Sequence, residues 1–450
     1  MMFQTEKDSV KKGKLKRFSY DGFSVFGKKK GSMALSNVVG CDCVGGRLKT
    51  GIGLKPYIFY GEEIAIDGTD GETAGVCVID FLDGESSTDM IRKILYWSTN
   101  GKLYSTNGED SEELFSCGKN VRICSAMDKN RETIVILVSQ GGGWAITKDG
   151  WEALNALRDF FPAVCACKNR VFLVADSNVL QYSSVDDVTN FTESVDDSGR
   201  MQLPIEYGNC VALCALNDSV YVFFERGIVR LHASAAARDF KLESVAYTGG
   251  KIFGDSVGVF GDKIVYLAED GVYVCEGLKV EKKYKKLGIK PKADGQVCNH
   301  AVCAECYLLG YKDADGAWKT AVLHKDGENG YFTGKVEGLV AFGGRAFAKA
   351  DGYLQEVIDG GENSNGFFVS TEALYFGTKE RKTLRKLRFN GCGRMDCTLR
   401  TDKGEKTVTL EFENGYCEYQ PNERAEYFIL EFSFAVGAEL YEIAAEVEML

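Results

Sequence analysis

The feature that most constrains this chain is a turn that keeps returning. Short apolar strands break at turns near residues 100, 142, 177, 227, 271, 316 and 352, six of them containing Gly and the one near 177 carrying Asn178, at spacings of 42, 35, 50, 44, 45 and 36 residues. Asn100-Gly101, Asp270-Gly271, Asp315-Gly316 and Asp351-Gly352 each follow a run of β-formers, such as Ile264-Val265-Tyr266-Leu267. Such a pair supplies the φ > 0 that a two-residue hairpin demands. The interval matches the length of one four-stranded propeller blade. Ahead of most hairpins lies a strand of small apolar residues. Examples are Ile123-Cys124-Ser125-Ala126, Ala163-Val164-Cys165-Ala166, Val211-Ala212-Leu213-Cys214, Val257-Gly258-Val259, Ala301-Val302-Cys303 and Leu339-Val340-Ala341. Small side chains fit an innermost strand, where blades crowd around an axis.

Composition agrees. At 450 residues the chain exceeds what one ordinary core holds, and repeat folds escape that limit because each unit packs only on its neighbours. With 51 glycines against 5 prolines, and 21 tyrosines with 27 phenylalanines, short strands and tight turns are favoured. The expectation is an all-β chain: a β-propeller over residues 76–371 with seven blades, six or eight being the neighbouring counts. Residues 1–75 read as a basic N-terminal segment with extra strands, including Tyr57-Ile58-Phe59-Tyr60. Residues 372–450 hold further strands, such as Leu384-Arg385-Lys386-Leu387-Arg388-Phe389 and Thr407-Val408-Thr409-Leu410. They read as a small C-terminal β-sandwich or as strands added to the propeller edge. Helix is scarce, and residues 151–160 are its best candidate.

Charge is unevenly placed. Residues 1–30 carry nine Lys/Arg against three acids, net +6, so in a chain of net charge −11 the rest stands at −17. Lys11, Lys12, Lys14, Lys16 and Arg17 are the candidate partner-binding residues, facing nucleic acid or an acidic partner surface. The plain alternative is a solvated terminus. An acidic body repels DNA phosphates, which leaves DNA as passing cargo at most. No apolar run reaches the ~20 residues of a membrane helix, and residues 1–17 lack the apolar core of a secretory signal. Sixteen scattered cysteines show no disulfide-scaffold spacing, which fits a reducing compartment.

Several motifs carry chemical possibilities. Cys298-Asn299-His300 with Cys303 and Cys306 has metal-ligand types, and zinc needs four converging N/S ligands. If Cys303 and Cys306 lie in one strand, their odd offset sends them to opposite faces, which argues against a site. Cys41/Cys43 and Cys165/Cys167 share a face by parity but have no nearby partner set. Gly254-Asp255-Ser256-Val257-Gly258 matches G-x-S-x-G, yet a strand pattern follows it, whereas a nucleophile elbow leads into a helix. Asp313-Ala314-Asp315-Gly316 starts like a calcium loop without the later ligands, and reads as a hairpin turn. Thr147-Lys148-Asp149-Gly150-Trp151 resembles the Asp-box turns of sialidase-type propellers, which mark fold and not chemistry. Gly141-Gly142-Gly143 lacks the Lys-Ser/Thr of a P-loop. With three histidines in the chain, the expectation is no catalytic residue, no metal and no cofactor.

Three stretches resemble the β-propeller tail proteins of short-tailed bacteriophages and prophages, the tail-accessory, head-stabilising and nozzle type. They are Asn169-Arg170-Val171-Phe172-Leu173-Val174 with Ser183, Asp187 and Phe191; Asn217-Asp218-Ser219-Val220-Tyr221 with Gly227-Ile228-Val229; and Asp255 through Tyr273. Lys382-Thr383-Leu384-Arg385-Lys386 is similar to a C-terminal strand of the family. The resemblance implies a structural protein in a ring at the portal–tail junction, with portal or tail proteins and further copies of itself as partners. It also implies a life in the bacterial cytoplasm during assembly, then in the virion. The alternative is a carbohydrate-binding or carbohydrate-cleaving propeller, marked by aromatics and carboxylates clustered at one end of the barrel.

Overall fold

The computed structural model describes residues 14–20, 22–24, 32–59, 61–66, 72–83, 86–106, 110–175, 177–185, 187–194, 197–234, 236–293, 298–303, 305–363 and 366–449. The chain divides into two compact units, one from residues 54–330 and 335–357, the other from 1–53, 331–334 and 358–450.

The first unit contains seven four-stranded antiparallel sheets. Blade one runs Thr73–Asp83, Ser86–Ser98, Lys102–Thr106 and Ser111–Ser116, each strand pairing with the next. Blades two to six repeat this order, opening with Arg122–Met127, Ala163–Cys167, Cys210–Leu216, Ile252–Phe260 and Cys298–Val302. Blade seven consists of Glu337–Phe342, Arg345–Ala350 and Tyr353–Asp359, and its outermost strand is Ile52–Pro56 from far earlier in the chain. The opening strands touch in succession from blade two to blade seven, and blade seven touches blade one. This is a seven-bladed β-propeller whose last blade is completed by an early strand.

The sequence pattern follows from how blades stack. Second strands are covered on both sheet faces by adjacent blades, so they read as unbroken apolar runs rather than alternating ones. Thr133–Ser139, Arg170–Val174 and Ser219–Phe224 are buried at every position. The opening strand Ala163–Cys167 instead alternates buried and half-buried residues. All seven recurring turns lie between the second and third strands of their blades. At Asp351 (φ 51°) and Gly352 (φ 82°) both residues are left-handed, the conformation that the Asp-Gly pair is chosen for.

Residues 151–160 are not helical. Trp151–Ala153 pairs with Trp144, Ala145 and Ile146 as the outer strand of blade two. Leu154, Leu157 and Phe161 then sink into the core shared with blade three. Their spacing imitates a helix face, but each is buried by the sheets around it. Helix among the described residues is confined to two 3-10 turns, Ala237–Asp239 and Lys285–Leu287.

The second unit is a β-sandwich drawn from both ends of the chain. One sheet is built on Lys382–Cys392 and Glu439–Met449, with Lys14–Tyr20, Cys41–Val44 and Arg47–Thr50 among its strands. The other runs Phe23–Ser24, Met33–Val39, Phe368–Thr371, Phe428–Phe434, Arg394–Thr401 and Gly404–Glu411. Their facing residues form one core, including Met33, Leu48, Leu387, Phe389, Phe432 and Ile443. Residues 14–20 of the basic arm are therefore not a solvated tail. They pair residue by residue from Lys14↔Met449 to Tyr20↔Ile443, and Phe18 and Tyr20 pack against the core. Lys14, Lys16 and Arg17, just ahead of these aromatics, hid the strand in the sequence.

Candidate functional site

The opening strands line an axial recess at each end of the ring. One, of about 710 Å³, lies among Cys77, Cys124, Ala166, Lys168, Arg170 and Phe342. The other, of about 400 Å³, lies among Gly75, Arg122, Asp255, His300 and Leu339. At this second end the Arg122 guanidinium of blade two reaches the Asp255 carboxylate of blade five, Nη2 to Oδ1 2.7 Å. Blades two and five are not neighbours in the ring, so this ion pair lies across the axis. Both side chains are more than a third exposed, so the pair adds little stability. Nothing in local spacing marked it, because its members belong to different repeats.

His300 flanks the pair. Its Nδ1 is 2.9 Å from the Asp255 carbonyl oxygen, and its ring stacks on Tyr307 at 5.4 Å and 4°. Burial pushes its pKa below the ordinary histidine value. This placement accounts for the G-x-S-x-G stretch. A Cβ on Gly258 would stand 2.4 Å from His300 Nε2, and one on Gly254 would stand 2.1 Å from the Val211 backbone oxygen of blade four. Ser256, fully buried, donates to the Phe253 carbonyl at 2.6 Å and accepts from the Leu267 N–H at 2.8 Å. It bridges the register shift between Phe253 and Gly258, where the ladder is interrupted. The three motif residues serve packing and hydrogen bonding within the sheet.

The remaining motifs resolve as turns and strands. Asp313 Oδ1 accepts from the N–H groups of Asp315 and Ala317, at 3.1 and 2.9 Å, closing a hairpin. Thr147 N–H donates to the Gly150 carbonyl at 2.8 Å. Gly141 and Gly143 admit Cys117 O and Leu157, which a Cβ would meet at 2.5 and 2.7 Å. Cys165 and Cys167 are buried between blades, and Cys41 is buried in the sandwich. Among the described residues no three His, Cys, Asp or Glu side chains gather where they could hold a metal ion.

The parity reading of Cys303 and Cys306 is corrected. The strands Cys298–Val302 and Cys306–Lys312 form a hairpin, and the two cysteines stand opposite each other where it closes. Cys303 N–H donates to the Cys306 carbonyl at 3.0 Å, and the two Sγ atoms are 2.8 Å apart. Parity separates faces only within one strand; positions paired across a hairpin share a face. Burial pushes the thiols of Cys77, Cys124, Cys210 and Cys214 up to about 12. Cys303 moves the other way: the Cys306 thiol, aided by backbone N–H groups of the turn, outweighs burial and lowers it to about 6.

The stretch from Asn169 to Phe191 turns its polar groups inward. Asn169 (φ 57°) makes the turn into the second strand of blade three. Buried Arg170 donates through Nη1 to the carbonyls of Ser183 at 2.6 Å and Asp197 at 2.9 Å, and pairs with Asp197 Oδ1 at 3.0 Å. Ser183 Oγ accepts from Val171 N–H at 2.9 Å, and Phe191 is buried in the core. Asp187 caps a turn through Thr189.

Of the arm residues, Lys14, Lys16 and Arg17 are exposed on their strand, and Arg17 Nε meets Glu446 Oε1 at 3.0 Å. Lys11 and Lys12 lie outside the described residues. No helix among the described residues is long and apolar enough to cross a membrane.

No family model matches the chain, and no curated protein matches it. Solved structures similar to it include BBS1N in complex with ARL6DN, with a TM-score of 0.47 and 9% identity over 68% of this chain and 96% of that one. The WD40 β-propeller domain of Doa1 has a TM-score of 0.41 and 10% identity over 66% of this chain and 97% of that one. The computationally designed Ika8 protein has a TM-score of 0.39 and 14% identity over 75% of this chain and 99% of that one.

Proposed function

We propose that this chain is a structural component of a phage or prophage particle, one subunit of a ring at the portal–tail junction, with its propeller acting as scaffold and not as catalyst. One observation carries the reading. The three stretches that resemble the tail-propeller family occupy equivalent places in three consecutive blades, each spanning the turn into the second strand and the hairpin that follows. Their polar residues support it further, since Arg170, Ser183 and Ser256 are spent on bonds within the propeller. In this reading the sandwich carries the docking surface, with Lys14, Lys16 and Arg17 facing an acidic partner. Size-exclusion chromatography with light scattering, on the full chain alone and with the portal protein encoded near its gene, tests the proposal. A complex containing several copies of the chain is expected. A monomer that leaves the portal unbound overturns it.

A further inference from the structure

We propose that Cys303 and Cys306 form an oxidisable dithiol, in which Cys303 attacks a low-molecular-weight disulfide and Cys306 resolves the product into an intramolecular bridge. The pair lies at the hairpin joining the opening and second strands of blade six. Only two residues separate the cysteines, and the Cys303 N–H to Cys306 carbonyl bond of 3.0 Å places them as a hydrogen-bonded cross-strand pair. Such pairs hold their Cα atoms about 5.5 Å apart, inside the roughly 4.4–6.8 Å range that a disulfide spans. With the sulfurs already 2.8 Å apart, bond formation asks for side-chain rotation and no rearrangement of the sheet.

The two sites differ in access. Cys303 is half-buried and Cys306 buried, which assigns the first attack to Cys303 and the resolving step to Cys306. The thiolate is the attacking species in thiol–disulfide exchange, and the backbone N–H groups of the turn that lower Cys303 favour that form. The thiols of the opening strands, raised by desolvation to about 12 at Cys77, Cys124 and Cys214, do not compete.

With glutathione disulfide as oxidant, the Cys303 thiolate attacks one sulfur and the S–S bond of glutathione breaks. The leaving glutathione thiolate takes up a proton. Cys306 then loses its proton and attacks the Cys303 sulfur of the mixed disulfide, expelling the second glutathione. Two protein thiols are oxidised and one glutathione disulfide is reduced to two glutathiones.

The test uses the full chain, reduced, freed of reductant, incubated with glutathione disulfide, then alkylated and mapped by peptide mass spectrometry. Thermal melts confirm that each variant is folded. Wild type is expected to gain a Cys303–Cys306 bridge while the other fourteen of its sixteen cysteines remain alkylated. Cys306→Ser is expected to stop at one glutathione on Cys303, and Cys303→Ser to lose both bridge and adduct. Wild type that accumulates glutathione on Cys303 without bridging overturns the proposal. So does a Cys303→Ser protein that takes up glutathione at Cys306 as fast as wild type forms its bridge.

Discussion

Replacing Arg170 by Met tests whether the inward-turned polar groups of blade three hold the propeller together. The Arg170 side chain is 1% exposed, and the change strands two carbonyls, those of Ser183 and Asp197. A buried acceptor left without a donor, as at Ser183, costs about 1–3 kcal/mol, and the part-buried Asp197 carbonyl costs less. The ion pair itself adds little to this, because the Asp197 side chain is 39% exposed and screened by solvent. Met keeps the aliphatic part of the side chain but loses the guanidinium, whose Cζ lies 6.0 and 5.9 Å from the Tyr182 and Phe240 ring centroids. The net loss is about 2–4 kcal/mol, a fall in melting temperature of roughly 3–6 °C for a unit of this size. Arg170→Lys, which keeps the charge but not the planar fork, should lose about half as much. Acid supplies a second check. Burial raises the Asp197 carboxyl, but the Ser184 hydroxyl, the Val185 N–H and Arg170 together outweigh it and hold the pKa below the usual carboxylate value. Stability from that depression is present above about pH 4 and is lost as pH falls through the lowered value. The gap between wild type and Arg170→Met should therefore narrow below about pH 4. Urea denaturation at pH 7 and at pH 3 measures both effects. A variant within 0.5 kcal/mol of wild type at pH 7, as at an ordinary surface site, would refute the reasoning.

Three further outcomes are expected. Deleting residues 1–20 removes a paired strand and the half-buried Phe18 and Tyr20, so denaturation of the sandwich should shift by about 2–3 kcal/mol; an unchanged melt would contradict the strand assignment. Ser256→Ala leaves the Leu267 N–H without its acceptor and should cost about 1–3 kcal/mol in urea titration, whereas a nucleophile freed of its role would cost nothing. Burial holds His300 below its ordinary value, so the unfolded chain binds a proton that the folded chain refuses in the window below about pH 6.5. Stability should fall as pH drops through that window, and His300→Gln should remove this part of the slope.

How far the sequence was legible follows from which interactions are local. Four of the seven second-to-third-strand hairpins announce themselves, because Asn100-Gly101, Asp270-Gly271, Asp315-Gly316 and Asp351-Gly352 place a glycine where φ turns positive and the buried strand before it is apolar. The small residues of Ala163–Cys167 and Cys210–Leu216 likewise report crowding at the axis. Outer strands were harder: Trp151–Ala153 is exposed throughout and carries no pattern of burial. Ile52–Pro56 completes blade seven by pairing with residues some three hundred positions away, and no local signal encodes that. The Arg122–Asp255 pair across the axis was illegible for the same reason. Cys303 and Cys306 share a face despite their odd offset because the chain turns between them, and strand parity does not hold through a turn.

The proposed role as a building block of a phage or prophage particle is tested most directly by electron cryomicroscopy of phage particles isolated from cells that express the chain. The account predicts seven-bladed density at the portal–tail junction, in several symmetry-related copies, together with β-sandwich density for each copy. Particles that show an intact portal and tail with no such density would contradict it.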